Sequence, residues 1–145
     1  MWDFCMDANT LHGTLRGVRA FSNFERRVNF ADTDLAGIVH FSKILGYVEE
    51  AEHAAMLSIG VAPASESGGF PKVHVECDYR SPLRFGDVAS IEMVIEKVGE
   101  SSVTWTFSIT LDGKLVATGK VITVYVTSMG AGSVIPDVYR EALSA

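Results

Sequence analysis

From residue 41 to 59 the apolar residues Phe41, Ile44, Leu45, Val48, Ala51, Ala55 and Ile59 recur at helical spacing, and no other stretch of the chain sustains it as long. The pattern predicts a single long amphipathic helix with one face against a core. Glu49, Glu50, Glu52 and His53 fall largely off that face. Ser42 is placed to cap the start and Gly60 to end the helix. Gly46 inside a helix costs roughly 0.5–1 kcal/mol relative to Ala, so a close backbone approach from another element is expected there.

The rest of the chain alternates with period two. Residues 24–30 read as a strand with Phe24, Val28 and Phe30 on one face. Residues 31–39, ADTDLAGIV, are a turn-rich connection. Residues 61–69 form a loop with Pro63 and the pair Gly68-Gly69. Strands are then expected over 70–79, 87–98, 102–111 and 115–126, with Asp112-Gly113 as a hairpin turn between the last two. One helix followed by strands joined through short turns implies an α+β fold, an antiparallel sheet wrapped around a central helix. The expected domain runs from 23 to 127. Residues 1–22 form an N-terminal extension, and 128–145 a tail whose IPDVYREALSA makes a short amphipathic helix.

Composition excludes several classes. Apolar residues at 48% and charged residues at 21% are ordinary globular usage, which rules out disorder. A net charge of −6 gives no global attraction to nucleic acid or anionic lipid. No apolar run approaches the roughly 18 residues of a membrane span. Cys5 and Cys77 have no metal-ligand spacing and form no disulfide framework, so reduced thiols and a cytoplasmic location are expected.

The densest polar cluster is Asp32-Thr33-Asp34, followed by Gly37 and His40 at the mouth of the helix. Two jobs suit an Asp there. It can cap and turn the chain. It can also face a carbonyl that free helix N–H groups polarise, pairing a base or nucleophile with an electrophilic pocket. No serine sits in a G-x-S-x-G elbow, and Cys77 in a strand has no nearby base. The i, i+4 pair Glu49 and His53 reads as a solvated helix contact.

The segment FADTDLAGIVHFSKILGYVEEAEHAAMLSIG resembles the signature of the 4-hydroxybenzoyl-CoA thioesterase family, small acyl-CoA thioesterases of the hotdog fold. The match is D-x-D-x-x-G-[IV]-V before a long helix with an acid in its second turn. CDYRSPLRFGDVASIEMVIEKVG and GKVITVYV are similar to the family as well, and the likeness spans residues 23–126. His40 within AGIVHF resembles the subgroup acting on 1,4-dihydroxy-2-naphthoyl-CoA.

The resemblance implies a five-stranded antiparallel sheet around one helix and a set of roles. Asp34 falls on the catalytic carboxylate, either nucleophile or general base. The Phe41 backbone N–H falls on the donor that polarises the thioester carbonyl, and His40 beside it is a further catalytic candidate. Asp32 supports the turn, Gly37 lets the loop pass close to the ligand, and Glu49 takes the acidic helix position. No metal or cofactor is required. The basic cluster that holds CoA phosphates in some members is missing, since that stretch reads Lys97-Val98-Gly99-Glu100-Ser101. Arg80, Arg84 and Lys72 are the replacements, and a carrier-protein pantetheine is the alternative to CoA. A homodimer or homotetramer is implied, each site taking loop residues from one subunit and helix residues from the other. The competing readings are a hotdog dehydratase or hydratase, resting on His40, and a non-catalytic acyl-binding subunit.

Overall fold

The computed structural model describes residues 19–145. Cys5 and nearly all of the N-terminal extension lie outside them. In chain order the elements are β1 (Arg19–Arg27), α1 (Phe41–Ser58), β2 (Ala64–Ser65), β3 (Gly68–Gly69), β4 (Lys72–Tyr79), β5 (Val88–Val98), β6 (Ser102–Leu111), β7 (Lys114–Val124), β8 (Val126–Thr127) and α2 (Asp137–Ser144). The main sheet has five strands in the order β1-β5-β6-β7-β4, all antiparallel.

Alternation decides which face of the sheet is buried. Val103, Trp105, Phe107 and Ile109 of β6 point into the core, as do Ala89, Ile91, Met93 and Ile95 of β5. They meet Ile44, Tyr47, Val48, Ala51, Ala55 and Met56 of α1 in one continuous cluster. Each large aliphatic side chain so buried contributes about 1.5–3 kcal/mol. The Asp112-Gly113 turn has positive φ at both residues, 49° and 80°, the geometry whose twist matches two-residue hairpins. α2 closes one end of the sheet: Arg140 donates to the Gly99 carbonyl at 2.8 Å, and Leu143 is buried. Among the described residues no helix is long and apolar enough to cross a membrane.

Several expectations change. β1 begins at Arg19 and stops at Arg27, and Phe30 lies in a 3-10 turn, 77% exposed, rather than on the inner face. The turn forms because the Asn29 N–H finds the Asp32 carboxylate at 3.1 Å. The 61–69 loop contains β2 and β3, which join β8 in a small second sheet. Gly46 is exposed, and among the described residues no atom lies within 4 Å of a Cβ built there, so the expected close approach is not found among them. Glu52 is fully buried. It stands four residues from both Val48 and Met56, in the middle of the inward stripe.

The connection from β1 to α1 is held by a polar knot. The Tyr47 hydroxyl donates to the Asp32 carboxylate at 2.6 Å, and Arg26 Nη1 stands 3.5 Å from the same oxygen. Arg26 also donates through Nε to Glu50 at 2.7 Å, with its guanidinium 4.7 Å from the Tyr47 ring centroid. Burial alone would raise the Asp32 pKa. The Tyr47 hydroxyl, the Asn29 N–H and Arg26 outweigh it and hold the carboxyl below its ordinary range. Burial and the Asp32 charge push the Tyr47 hydroxyl far up, so it remains a donor.

Tyr47→Phe removes a hydrogen bond to a charged, buried acceptor and should cost about 1.5–3 kcal/mol in urea unfolding at pH 7. Because the folded-state pKa of Asp32 is depressed, its stabilisation is present above the unfolded value near 3.9 and is lost as pH falls through the folded value. The gap between wild type and Tyr47→Phe should therefore narrow on acidification below about pH 4. A gap that stays constant down to pH 2 would assign the stability of the knot to other groups.

Candidate active site

Asp32 anchors one end of the loop and β5's lead-in anchors the other. The Asp32 carbonyl accepts the His40 N–H at 2.9 Å, and the Leu83 carbonyl accepts the Val39 N–H at 2.8 Å. Between these anchors the chain reverses tightly. Asp34 N–H donates to the Ile38 carbonyl, and Gly37 N–H to the Asp34 carbonyl, both at 2.9 Å. Gly37 has φ +76°, a backbone conformation that favours glycine. The constraint at Gly37 is therefore conformational, and a Cβ there would sit in ordinary contact with the Arg84 guanidinium at 3.9 Å.

Asp34 is exposed, and its Oδ1 accepts the Ala36 N–H at 2.8 Å, which fixes the carboxylate's orientation. Among the described residues Oδ2 has no protein donor. The carboxylate faces an open cavity of about 680 Å³ whose walls include Phe30, Asp32, Leu35, Gly37, His40 and Lys43.

His40, not Ser42, caps α1. Its backbone is extended, at φ −60° and ψ 138°, whereas Ser42 already lies inside the first turn. Nδ1 of His40 accepts the Ser42 N–H at 3.3 Å and stands 2.7 Å from the Ser42 hydroxyl. A ring accepting at Nδ1 carries its proton on Nε2 when neutral. The Phe41 N–H, the first of the helix, has no intramolecular acceptor among the described residues. It is a free donor at the positive end of a helix of 18 residues. The Phe41 carbonyl is held from the sheet side by the Tyr79 hydroxyl at 2.9 Å. Burial and the neighbouring Cys77 thiol push that hydroxyl up to about 12, so it stays protonated and donating.

The expected site residues divide into two groups. Asp34, Gly37, His40 and Phe41 come together at the loop and helix start, with Asp32 beneath them and Arg84 alongside. Arg80 is exposed just past β4. Glu49 and Lys72 stand elsewhere. Glu49 is about 12 Å further along the helix axis than Phe41, at 1.5 Å per residue. Lys72 Nζ lies 3.6 Å from Glu49 and 3.4 Å from Glu52. Glu49 also meets His53 at 3.8 Å, the expected helix pair. Of the aromatic residues, Tyr47 and Phe70 are core, whereas Phe41 and Phe85 are 63% and 66% exposed near the loop. Phe85 meets Phe30 edge-on at 6.1 Å. Sequence reasoning missed Tyr79 and the Arg26–Asp32–Tyr47 knot. Both join residues distant in sequence, and no local spacing announces them.

The model of the thioesterase-like superfamily matches residues 28–143. A 1,4-dihydroxy-2-naphthoyl-CoA hydrolase of Synechococcus sp. (strain CC9605) is 33% identical over 103 residues, 65% of this chain and 69% of that protein. Among solved structures, a gentisyl-coenzyme A thioesterase is 28% identical with TM-score 0.78, covering 84% of this chain and 99% of that one. A 1,4-dihydroxy-2-naphthoyl-CoA thioesterase from Synechocystis shares the fold with TM-score 0.77 at 23% identity, covering 86% and 96%. With its strand order, its single long helix and its D-x-D loop, the chain belongs to the thioesterase-like superfamily and has the hotdog fold.

Proposed function

We propose that the protein hydrolyses acyl-CoA thioesters, with an aryl acyl group as the preferred substrate, and that Asp34 and the Phe41 N–H carry the chemistry. The observation that carries this reading is a carboxylate with one oxygen pinned and the other free among the described residues, next to a helix start whose first N–H has no partner among them. A thioester needs little more than a base or nucleophile and an oxyanion donor. The relatives' names support a CoA thioester, and those of the naphthoyl-CoA and gentisyl-CoA enzymes support an aryl group.

Two routes fit. In one, an Asp34 oxygen attacks the carbonyl carbon, negative charge on the carbonyl oxygen is met by the Phe41 N–H, and the C–S bond breaks to leave CoA thiolate and a mixed anhydride that water opens. In the other, Asp34 takes a proton from water as the water attacks. In this reading the Nε2–H of His40, whose tautomer the cap sets, is the donor to the carbonyl oxygen or the leaving sulfur. Arg84, beside Gly37, and Arg80 are the cations for the CoA nucleotide, because Lys72 is engaged by two carboxylates.

The reading includes a homodimer, or a homotetramer built from it. β4 is an edge strand with Val73 and Val75 59% and 40% exposed, and Phe30, Leu35 and Phe85 stand bare around the loop. Unpaired edges and contiguous apolar rims of this kind are what a second copy covers.

Asp34→Asn keeps the shape and removes the basic carboxylate. Thiol release from benzoyl-CoA and hydroxybenzoyl-CoA, followed with a thiol reagent, should fall by about 10² or more. Near-wild-type turnover in that variant would move the chemistry away from Asp34. An intact thioester after prolonged incubation with the wild-type protein would favour an acyl-binding subunit. Light scattering on the purified chain should give the mass of two or four copies, and a monomer active on these esters would exclude the shared-site arrangement.

A further inference from the structure

The loop chemistry leaves one group unexplained. Glu52 has 0% exposure, and among the described residues neither carboxylate oxygen has a hydrogen-bond partner. Its nearest opposite charge is Lys72 Nζ, 3.4 Å away across the gap between α1 and β4. Stability alone does not call for such a pair, since well-packed apolar residues usually serve a core at least as well. Position 52 lies in the stripe between Val48 and Met56, where an aliphatic residue would continue the core.

What the pair does accomplish is geometric. It draws Lys72 inward, so that its ammonium stands 3.6 Å from Glu49 on the wall of a second cavity of about 490 Å³. Its lining combines Glu49, His53 and Lys72 with Pro63, Phe70 and Pro71. Burial and the Lys72 charge push the His53 pKa down, which favours the neutral ring. Apolar lining beside a carboxylate acceptor and an ammonium donor suits an aromatic ring bearing a hydroxyl, which donates to one and accepts from the other.

We propose that Lys72 and Glu49 read hydroxyl groups on the acyl moiety, and that Glu52 is the positioning residue that holds Lys72 in place to do so. The inference rests on the aryl-CoA reading above and on a second copy's loop bringing the thioester to this flank of the helix.

The test compares kcat and KM for 4-hydroxybenzoyl-CoA, 2,5-dihydroxybenzoyl-CoA, benzoyl-CoA and hexanoyl-CoA. The proteins are wild type, Lys72→Met, Glu52→Gln and the double variant Glu52→Leu/Lys72→Met. Wild type should prefer the hydroxylated esters to benzoyl-CoA in kcat/KM. Lys72→Met and Glu52→Gln should each lower that preference by about tenfold, mainly through KM of the hydroxylated esters. The double variant replaces the pair with apolar groups; it should keep a cooperative thermal transition and lose the preference. Variants that slow every ester in the same proportion would make the pair purely structural and overturn the proposal. Equal wild-type kcat/KM for benzoyl-CoA and its hydroxylated forms would overturn it while leaving the aryl-CoA reading intact. Turnover of hexanoyl-CoA alone would overturn both.

Discussion

A hydrogen bond of 2.6 Å from the Tyr47 hydroxyl to the Asp32 carboxylate fastens the loop that carries Asp34 to the second turn of the helix. Tyr47 is held by the core, with 2% of its surface exposed, so the anchor point is as rigid as the helix–sheet interface itself. From Asp32 the constraint passes outward. Its carbonyl fixes the His40 N–H, its side chain fixes the Asn29 turn, and between these points the chain must reverse at Gly37. The positions of Asp34 and of the helix start are consequences of that one buried acceptor. Arg26 and Glu50 extend the knot to β1 and to the outer face of α1.

The sheet makes the anchor possible. Only a broad apolar surface, supplied by β5 and β6, keeps a single helix in place along its length. The same arrangement leaves the N-terminal end of α1 uncovered within one chain. That is why the first helical N–H, the loop aromatics and the edge of β4 all lie near one open region rather than inside a closed pocket.

Much of this was legible in the residues. The stripe from Phe41 onward gave the helix to within one residue at its end, the alternation of Val103, Trp105, Phe107 and Ile109 gave the central strand, and Asp112-Gly113 gave its hairpin. Signals that depend on a choice between local options were misread. Ser42 and His40 are both plausible caps, and only the extended backbone at His40 decides between them. Glu52 reads as largely off the apolar face, although its spacing from Val48 and Met56 sets it inward, where it is buried. Phe30 alternates correctly with Val28, but the Asn29–Asp32 bond bends the chain before it can join the sheet. The small β2-β3-β8 sheet had no period to read, because its strands are two residues long.

The loop is pinned at both ends and bare in the middle, where Leu35 projects with essentially its whole surface in solvent. Its fixed points use the backbone, Asp32, Val39 and the turn at Gly37, whereas Leu35 and Ala36 contribute side chains to none of them. Changes to those two side chains leave the backbone bonds that fix the loop and the Asp34 carboxylate in place. The tip of this loop can therefore vary in shape and polarity while the folding requirements of the chain remain where they were.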